Sequence, residues 1–502
     1  MASNDQTSAE IELKLALPGA DPSLIADRLA ALPPLVGIAS TQQRLRNIYF
    51  DTPEQHLRQN KAALRLRSVR EGKGGARWRQ TFKTAGSGAS GLSERGEWES
   101  SLKRGALDAS LLEDTPWRDI AGDDELFSQL AACFETTSTR TLWQVHESDG
   151  SQIEVALDVG TIEAAGQTMP ICELELELVQ GSVDALFALA EQIAVHVAVL
   201  PTATSKAERG WRLLDGTSAA PVRARPPLLD ADMPTLVTAQ TVLGEMLGQF
   251  TENLSRLLLA DQAELVHQAR VGWRRWRSGL WLFKPLFKHA GAPDASGLSA
   301  VRQALGPLRD LDVAALESLP PWTDAFVAGD AHRAAEWRAM EEALTAQRRA
   351  QRQVLLDALS APETGVALLQ IGRWLHALPL LETETERVGP WAEKRTRQLR
   401  KRLETVIKQA REARERGDPD AMEQEHEARL LAKRTRYCLE AMQSLLPKSR
   451  TRGWIKQATE VQARIGAERD LMLLADLLQP LGADREILGF LRGVAAARIA
   501  LE

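Results

Sequence analysis

The chain has 502 residues, 44% hydrophobic and 26% charged, with a formal net charge of −6. That length is too great for one ordinary core and predicts two or three domains. The acidic balance argues against general nucleic-acid affinity, and no apolar run approaches the roughly 20 residues a membrane helix needs, so any basic site must be local and neither partner is expected. The first residues, Met1 to Gln6, lack the basic start and apolar centre of a secretory signal. Cys133, Cys172 and Cys438 give neither a disulfide framework nor a zinc spacing. A reducing, cytoplasmic setting is the expectation.

In chain order, strands are predicted over 9–17, 42–51, 62–70, 76–85, 92–99, 137–147, 151–160 and 168–180. Helices are predicted within 22–32, 107–114, 123–133, 182–199 and 204–214. Gly72-Lys73-Gly74-Gly75 is a hairpin signal, and Gly86 to Gly91 is a flexible connection of the same kind. In the first strand, alternation puts Glu10, Glu12 and Lys14 on one face and Ile11, Leu13 and Leu15 on the other. The pattern recurs. Arg65 and Arg67 alternate with Leu64 and Leu66, followed by Lys83, by Arg95, Glu97 and Glu99, and by Arg140. Glu154 and Asp158 alternate with Ile153, Val155 and Leu157, and Glu173, Glu175 and Glu177 share one face of an otherwise leucine strand.

For one strand alone, charges in water and leucines in the core is the better reading. Applied to all of them it weakens, because like charges on successive residues of a face repel. Acidic and basic residues also segregate by strand. A closed or nearly closed barrel, with cations on one wall and phosphates on the other, needs that segregation. Carboxylate oxygens suit Mg²⁺ or Mn²⁺, and guanidinium forks match phosphate oxygens bidentately. His56, His146 and His196 look isolated, no nucleophile constellation points to a covalent phospho-enzyme, and there is no P-loop motif.

A proline-containing linker without periodicity is expected over 215–232, after which strand signals vanish and an all-α domain runs over 233–502. That half repeats itself. His267-Gln-Ala-Arg270, with Arg274 and Arg277, matches His426-Glu-Ala-Arg429, with Lys433 and Arg436. Leu305-Gly306 to Asp312 matches Ile465-Gly466 to Met472 at almost the same separation, so a duplicated helical unit is predicted around 267–312 and 426–472. Positions i, i+3, i+7 and i+10 fall within roughly 80° of one another on a helix. Each copy thus presents one almost purely cationic face, and although most charged faces are merely solvated, the matching pair favours a polyanion site between the two helices. Arg309 and Arg469 could join that site, although pairing with Asp310 and Asp470 is the plainer expectation.

Glu10-x-Glu12-x-Lys14 resembles the signature of the CYTH superfamily, the triphosphate tunnel metalloenzymes. Asn47-Ile-Tyr-Phe-Asp51-Thr52, Leu64-Arg-Leu-Arg67, Thr81-Phe-Lys83, Leu157-Asp158-x-Gly160, Glu173 to Glu177 and Ser205-Lys206-x-Glu-Arg209 support it over residues 8–214. The resemblance implies an α+β domain built on an eight-stranded antiparallel β tunnel with flanking helices, binding a linear triphosphate and a divalent metal. By the same analogy Glu10, Glu12, Asp158, Glu173, Glu175 and Glu177 are metal candidates. Lys14, Lys83, Arg65, Arg67, Arg95, Arg140 and Lys206 would grip phosphates, with Lys14 and Lys83 close to the chemistry beside Glu10 and Glu12. Glu97 and Glu99 could orient basic residues or water. The second half resembles the CHAD domain, a duplicated helical bundle that binds inorganic polyphosphate, in which His267 and His426 match the name-giving histidines.

Together these imply Mg²⁺- or Mn²⁺-dependent hydrolysis of inorganic triphosphate to diphosphate and phosphate, with Glu10 or Glu12 accepting a proton from water. The alternatives are adenylate cyclisation of the class IV type, for which no base-binding set is visible, and a non-catalytic polyphosphate scaffold. Thiamine triphosphate hydrolysis lacks an aromatic clamp.

Overall fold

The computed structural model describes residues 9–72, 74–84, 86, 88, 91–121, 125–287, 290–381, 386–464 and 474–501. Eight strands make a closed antiparallel barrel: β1 (Ala9–Ala16), β2 (Ser40–Asp51), β3 (Ala62–Glu71), β4 (Arg77–Thr84), β5 (Leu92–Leu102), β6 (Ala131–His146), β7 (Gln152–Ala164) and β8 (Gln167–Gln180). Their order is β5-β4-β3-β2-β6-β7-β8-β1, and β1 pairs back onto β5 from Ala9↔Gly96 to Leu13↔Leu92. Closure removes both sheet edges, leaving every strand with two partners. A two-residue strand, β9 (Leu200–Pro201), adds to the end of β1.

The apolar faces point outward. Leu13 and Leu15 of β1, Val155 of β7, and Leu174 and Leu176 of β8 are buried beneath two helices, α1 (Ile25–Ala30) and α2 (Val183–Ala194), against Leu29, Leu186, Phe187 and Leu189. Each such side chain contributes about 1.5–3 kcal/mol by leaving water. With the outer face used this way, period-2 alternation forces the charged face inward.

One strand starts earlier than its pattern predicts. β6 begins at Ala131, inside the segment expected to be helical, where among the described residues only Glu125–Ser128 is helix. The partner decides this: β2 runs to Asp51, which pairs with Ala131, and those ladder bonds outweigh local helix preference. The hairpin expected at Gly72–Gly75 joins β3 to β4, although Lys73 lies outside the described residues, as do Ser87, Ala89 and Ser90.

After α3 (Lys206–Leu214) the chain runs without regular structure to α4 (Thr235–Leu257), pinned along that helix. Asn253 bonds the Val222 backbone N–H and carbonyl at 3.0 and 2.9 Å, and Glu245 accepts the Arg225 N–H at 2.8 Å. The remaining long helices are α5 (Ala263–Phe283), α6 (Ser299–Val313), α7 (Ala331–Leu359), α8 (Pro362–Ala377), α9 (Val388–Arg416), α10 (Ala421–Ala441), α11 (Lys448–Arg464) and α12 (Arg485–Leu501). The two repeat helices, α5 and α10, pack directly on each other, with the buried Cys438 thiol donating to the Ser278 carbonyl at 3.5 Å. The second half of the later repeat, 465–472, lies outside the described residues and takes Arg469 and Asp470 with it.

The two halves share their cores. Leu200 of β9 belongs to the helical core, and Leu369 of α8 belongs to the barrel's outer core. Arg373 of α8 closes a bidentate pair on Asp184 of α2, both bonds 2.6 Å.

Candidate active site

Every charged side chain that alternation places inside the barrel is turned there, and the register sets their neighbours. Glu10 stands opposite Arg95, Glu12 opposite Glu177, Lys14 opposite Glu175, Arg140 opposite Asp158, and Lys83 opposite Glu97. Glu12 and Lys14 are each 3% exposed and Asp158 is fully buried.

The residues do not sort into an acidic and a basic wall, as the segregation by strand led one to expect. They interlock, because an isolated charge in so enclosed a space costs several kcal/mol. Lys14 pairs with Glu12, and Arg95 with both Glu12 and Glu10, the latter at 2.8 Å. Lys83 reaches Glu10 at 3.1 Å and Glu97 at 2.5 Å. Arg140 grips Asp158 through two bonds of 2.8 and 2.6 Å and Glu175 at 2.6 Å. Arg65 lies 3.5 and 3.6 Å from Glu97 and Glu99 and donates to Thr81 at 3.0 Å.

Two of the candidate site residues escape this pairing. Among the described residues Arg67 makes no ion pair; its Nε donates to Asn47 Oδ1 at 2.7 Å, and Asn47 in turn donates to Thr136 at 2.9 Å. Burial, then Arg65 and Arg140, pull its guanidinium down to about 10 against the opposing pull of Glu99. Glu177 likewise makes no ion pair among the described residues, and burial with Glu10, Glu154 and Glu97 nearby pushes its carboxyl up to about 7. Glu97 is also raised, chiefly by burial and then by the proton-sharing contact and repulsion from Glu10, with Lys83 and Arg65 opposing. Glu10 itself is held well below the ordinary range, since Lys83, Glu97 and Arg95 outweigh its burial. The interior thus has an under-compensated positive pole at Arg67 and an under-compensated negative pole at Glu177.

Carboxylates with the chemistry to hold a hard cation fall into two sets, and among the described residues only the first has its oxygens within ligating reach of one another. Asp158, Glu173 and Glu175 bring oxygens within 4.8 Å of one another. Lys206 already sits among them, 2.7 Å from Asp158 and 2.8 Å from Glu175 and in contact with Glu173, while Arg209 pairs with Glu173. That set is tight but charge-balanced. Glu10, Glu12 and Glu177, with Glu97 beside them, are looser and carry the surplus of acid over Lys14, Lys83 and Arg95. All-oxygen donors with excess negative charge fit Mg²⁺ or Mn²⁺, so the residue chemistry is compatible with such an ion.

One end of the polar interior is filled. Tyr49, Phe134, Ile162 and Ile171 pack inside the barrel under Trp211 of α3, with Tyr49 stacked on Phe134 at 4.7 Å between centroids. Gly210 permits this approach, since a Cβ there would lie 2.1 Å from the Phe134 ring. The same helix delivers Lys206 and Arg209, and its start is held from the other half of the chain. Glu252 of α4 accepts the Thr202 hydroxyl and the Ala203 N–H at 3.1 Å each and the Thr204 hydroxyl at 2.5 Å. Ser205 then caps α3 by accepting the Glu208 N–H at 3.1 Å.

Arg209, Asn47, Thr81 and Glu252 were not singled out as site residues by the sequence. Arg209 follows Lys206 by one helical turn and so shares its face, a signal available in principle. Asn47 alternates with the inward Tyr49. Nothing local marks Glu252.

In the helical half, His267, Arg270, Arg274 and Arg277 do lie on the outer side of α5, while Arg275 between them is buried and paired with Glu245 at 2.8 Å. Arg270 is turned onto the carbonyls of Leu305 and Gly306, at 3.1 and 2.6 Å, next to the helix-interior Pro307. His426, Arg429, Lys433 and Arg436 lie on the accessible side of α10, and Arg436 pairs with Glu440 at 2.8 Å. Arg309 pairs with Glu317 at 2.8 Å and not with Asp310 as expected, because Asp310 is its neighbour along the helix and points elsewhere.

Residues 8–211 match the family model of the CYTH domain, and residues 241–479 that of the CHAD domain. An inorganic triphosphatase of Haemophilus influenzae is 33% identical over 206 residues, which make up 41% of this chain and 54% of that protein, so the chain spans about half the length of this curated relative. Among solved structures, the CHAD domain from the plant Ricinus communis is similar at 28% identity over 56% of this chain and 92% of that one, with a TM-score of 0.47. A Hippeastrum protein, named as an adenylyl cyclase candidate with a dominant triphosphatase activity, is similar at 19% identity over 40% of this chain and 95% of that one, TM-score 0.31.

Proposed function

Since residues 8–211 form a CYTH domain and residues 241–479 a CHAD domain, we propose that the barrel hydrolyses inorganic triphosphate to diphosphate and phosphate with a divalent cation, Mg²⁺ or Mn²⁺. The observation that carries this reading is the pair of under-compensated groups inside one barrel, Arg67 near Arg65 and Arg140, and Glu177 near Glu10 and Glu97. A linear polyanion and its counter-cation answer both at once.

In this reading Arg65, Arg67 and Arg140 take the phosphate oxygens, with Asn47 fixing the plane of the Arg67 fork. Lys14, Lys83 and Arg95 exchange their carboxylate partners for the charge that spreads over the peripheral oxygens as the terminal P–O bond breaks. Glu10 or Glu12 takes the proton of the attacking water as its oxygen bonds to that phosphorus. Diphosphate leaves with the bridging oxygen. The cation, held by Glu10, Glu12 and Glu177 with the Asp158, Glu173 and Glu175 set behind them, would supply Lewis-acid polarisation of phosphate oxygens and a more acidic water. Lys206 and Arg209 keep that second set neutral until ligands arrive. The outer faces of α5 and α10 would bind polyphosphate through His267, Arg274, Arg277, His426, Arg429, Lys433 and Arg436. The setting proposed is cytoplasmic.

The test is to incubate the full chain with Mg²⁺ and triphosphate, ATP or long polyphosphate, following phosphate and cyclic AMP. Triphosphate should give phosphate, and Glu12→Gln should reduce turnover at least about a hundredfold while polyphosphate binding persists. Full activity in Glu12→Gln, or cyclic AMP as the main product from ATP, would overturn the reading.

A further inference from the structure

Where the two halves meet, a cleft of about 410 Å³ opens behind the barrel wall. It borders the polar interior only through Glu173 and Arg209, and the rest of its wall belongs to neither proposed phosphate site. Most of the lining is apolar: Leu17 from the end of β1, Met169 from β8, Leu258 and Leu259 just after α4, and Leu356 of α7. Leu259 is 54% exposed. The volume lies in the range of small-molecule sites, about 300–1,000 Å³.

Three guanidiniums line this space; Arg209 is committed to Glu173, which leaves Arg212 and Arg256, one from each half, to face it. Arg256 of α4 is 6% exposed, its Nη1 is used by the Ala220 carbonyl, and its Nε has no hydrogen-bond partner among the described residues. Arg212 of α3 pairs with Glu208 at the surface and reaches Thr204 at 3.4 Å. Burial, and next the repulsion from Arg212, bring Arg256 down to about 10 despite the pull of Glu252 and Glu208. The hydroxyls of Ser218 and Ser255, also lining the cleft, are buried without partners among the described residues. The two carboxylates in the lining are committed elsewhere, Glu252 to Thr202–Thr204 and Glu173 to Arg209 and Lys206.

We propose that this cleft binds a small organic anion, its single charged head seated between Arg212 and Arg256 and its apolar body against Leu17, Met169 and Leu356. A polyphosphate does not suit it, because an apolar wall leaves most of its oxygens unsolvated. A metal cation is repelled by the two guanidiniums. An amphipathic monoanion supplies acceptors to Arg256 Nε, Ser218 and Ser255 and covers Leu259 with the same molecule. Such a ligand would cross-link barrel and helices, since its head draws on α3 and α4 together.

The probe is 8-anilinonaphthalene-1-sulfonate, an apolar body with one sulfonate, compared with its uncharged parent N-phenyl-1-naphthylamine. The full chain should bind the sulfonate at one tight site by fluorescence, and the uncharged parent about tenfold or more weakly. Arg256→Gln should weaken the sulfonate by a similar factor. Leu356→Trp, which fills the cleft from the other side, should do the same without touching a charge. Saturating Mg²⁺ with triphosphate should leave the dye bound. Octanoate and octyl phosphate compete as the two sources of head group: displacement by either supports the proposal and identifies the head, and displacement by neither overturns it. Equal binding of the uncharged parent, unchanged binding in both variants, or release of the dye by triphosphate would each overturn it as well.

Discussion

Lys206 offers the sharpest test of how the barrel interior balances its charges. Its ammonium stands among Asp158, Glu173 and Glu175 with its side chain 11% exposed, so Lys206→Met removes one cation from three carboxylates and leaves two guanidiniums to face them. Breaking a buried ion pair by deleting one partner costs about 3–5 kcal/mol. Part of that loss can be relieved by protonation, which gives the prediction a pH signature. Burial pushes both carboxyls up, but Arg140 and Lys206 hold Asp158 below its ordinary value, and Lys206 and Arg140 hold Glu175 well below. Depressed carboxylates stabilise the fold above their unfolded values, near 4, and lose that contribution as pH falls through the folded values. In Lys206→Met the folded values rise, so at lower pH the variant's carboxylates take up protons that the wild-type site does not. The deficit should therefore be full near pH 8 and shrink as the pH is taken toward 4. Urea unfolding followed by tryptophan fluorescence measures it. Added Mn²⁺ should raise the variant's midpoint more than the wild type's, because the freed oxygens then have a cation to hold. A deficit below about 1 kcal/mol at pH 8, a typical value for a surface pair, or one that does not change with pH, would refute the charge-balance argument.

Arg67→Lys keeps the charge and loses the fork held by Asn47; the KM for triphosphate should rise about tenfold with a smaller change in kcat, and an unchanged KM in steady-state assays would count against a phosphate-gripping role. His267 is pulled below its ordinary 6.5 by burial and then by Arg309 and Arg274, with Glu264 opposing the arginines. A polyanion on that face favours the protonated ring, so polyphosphate affinity measured by titration should rise from pH 7.5 to 5.5, and His267→Gln should flatten the profile. Arg270→Ala removes two hydrogen bonds to the α6 carbonyls beside Pro307. It should lower stability by about 2 kcal/mol while weakening polyphosphate binding less than Arg274→Ala does, which paired unfolding and binding curves will show.

Much of the barrel was legible because period-2 alternation is a strong signal when both faces are so different. Glu10, Glu12, Lys14, Glu173 and Glu175 could be assigned to one interior from their spacing, since Leu13, Leu15, Leu174 and Leu176 had to go to the other side. The same signal is silent on what lies across the barrel. That Lys206 would stand inside the Asp158, Glu173 and Glu175 set, and that Arg67 would be left without a carboxylate, depend on strand register and on where α3 lands. The start of β6 was misread because Glu125–Ser128 and the alanines that follow favour helix locally, while the ladder with β2 extends them. Arg270 shows the limit of helical-face reasoning: it shares a face with His267 and Arg274, yet two backbone carbonyls of a neighbouring helix capture its guanidinium. Glu252 was invisible because its partners are about fifty residues away.

The Glu252 clamp bears on how freely these two modules can be shuffled. Three consecutive residues ahead of the lysine-bearing helix are tied to a single carboxylate of the other module, so a barrel excised at Thr217 would keep all its charged lining and still lose the tether that orients Lys206. Grafting a foreign helical partner onto this barrel would demand an acid at the same spot. Substitutions near Thr202–Thr204 should likewise be tolerated only alongside compensating change in the helix that carries the acid.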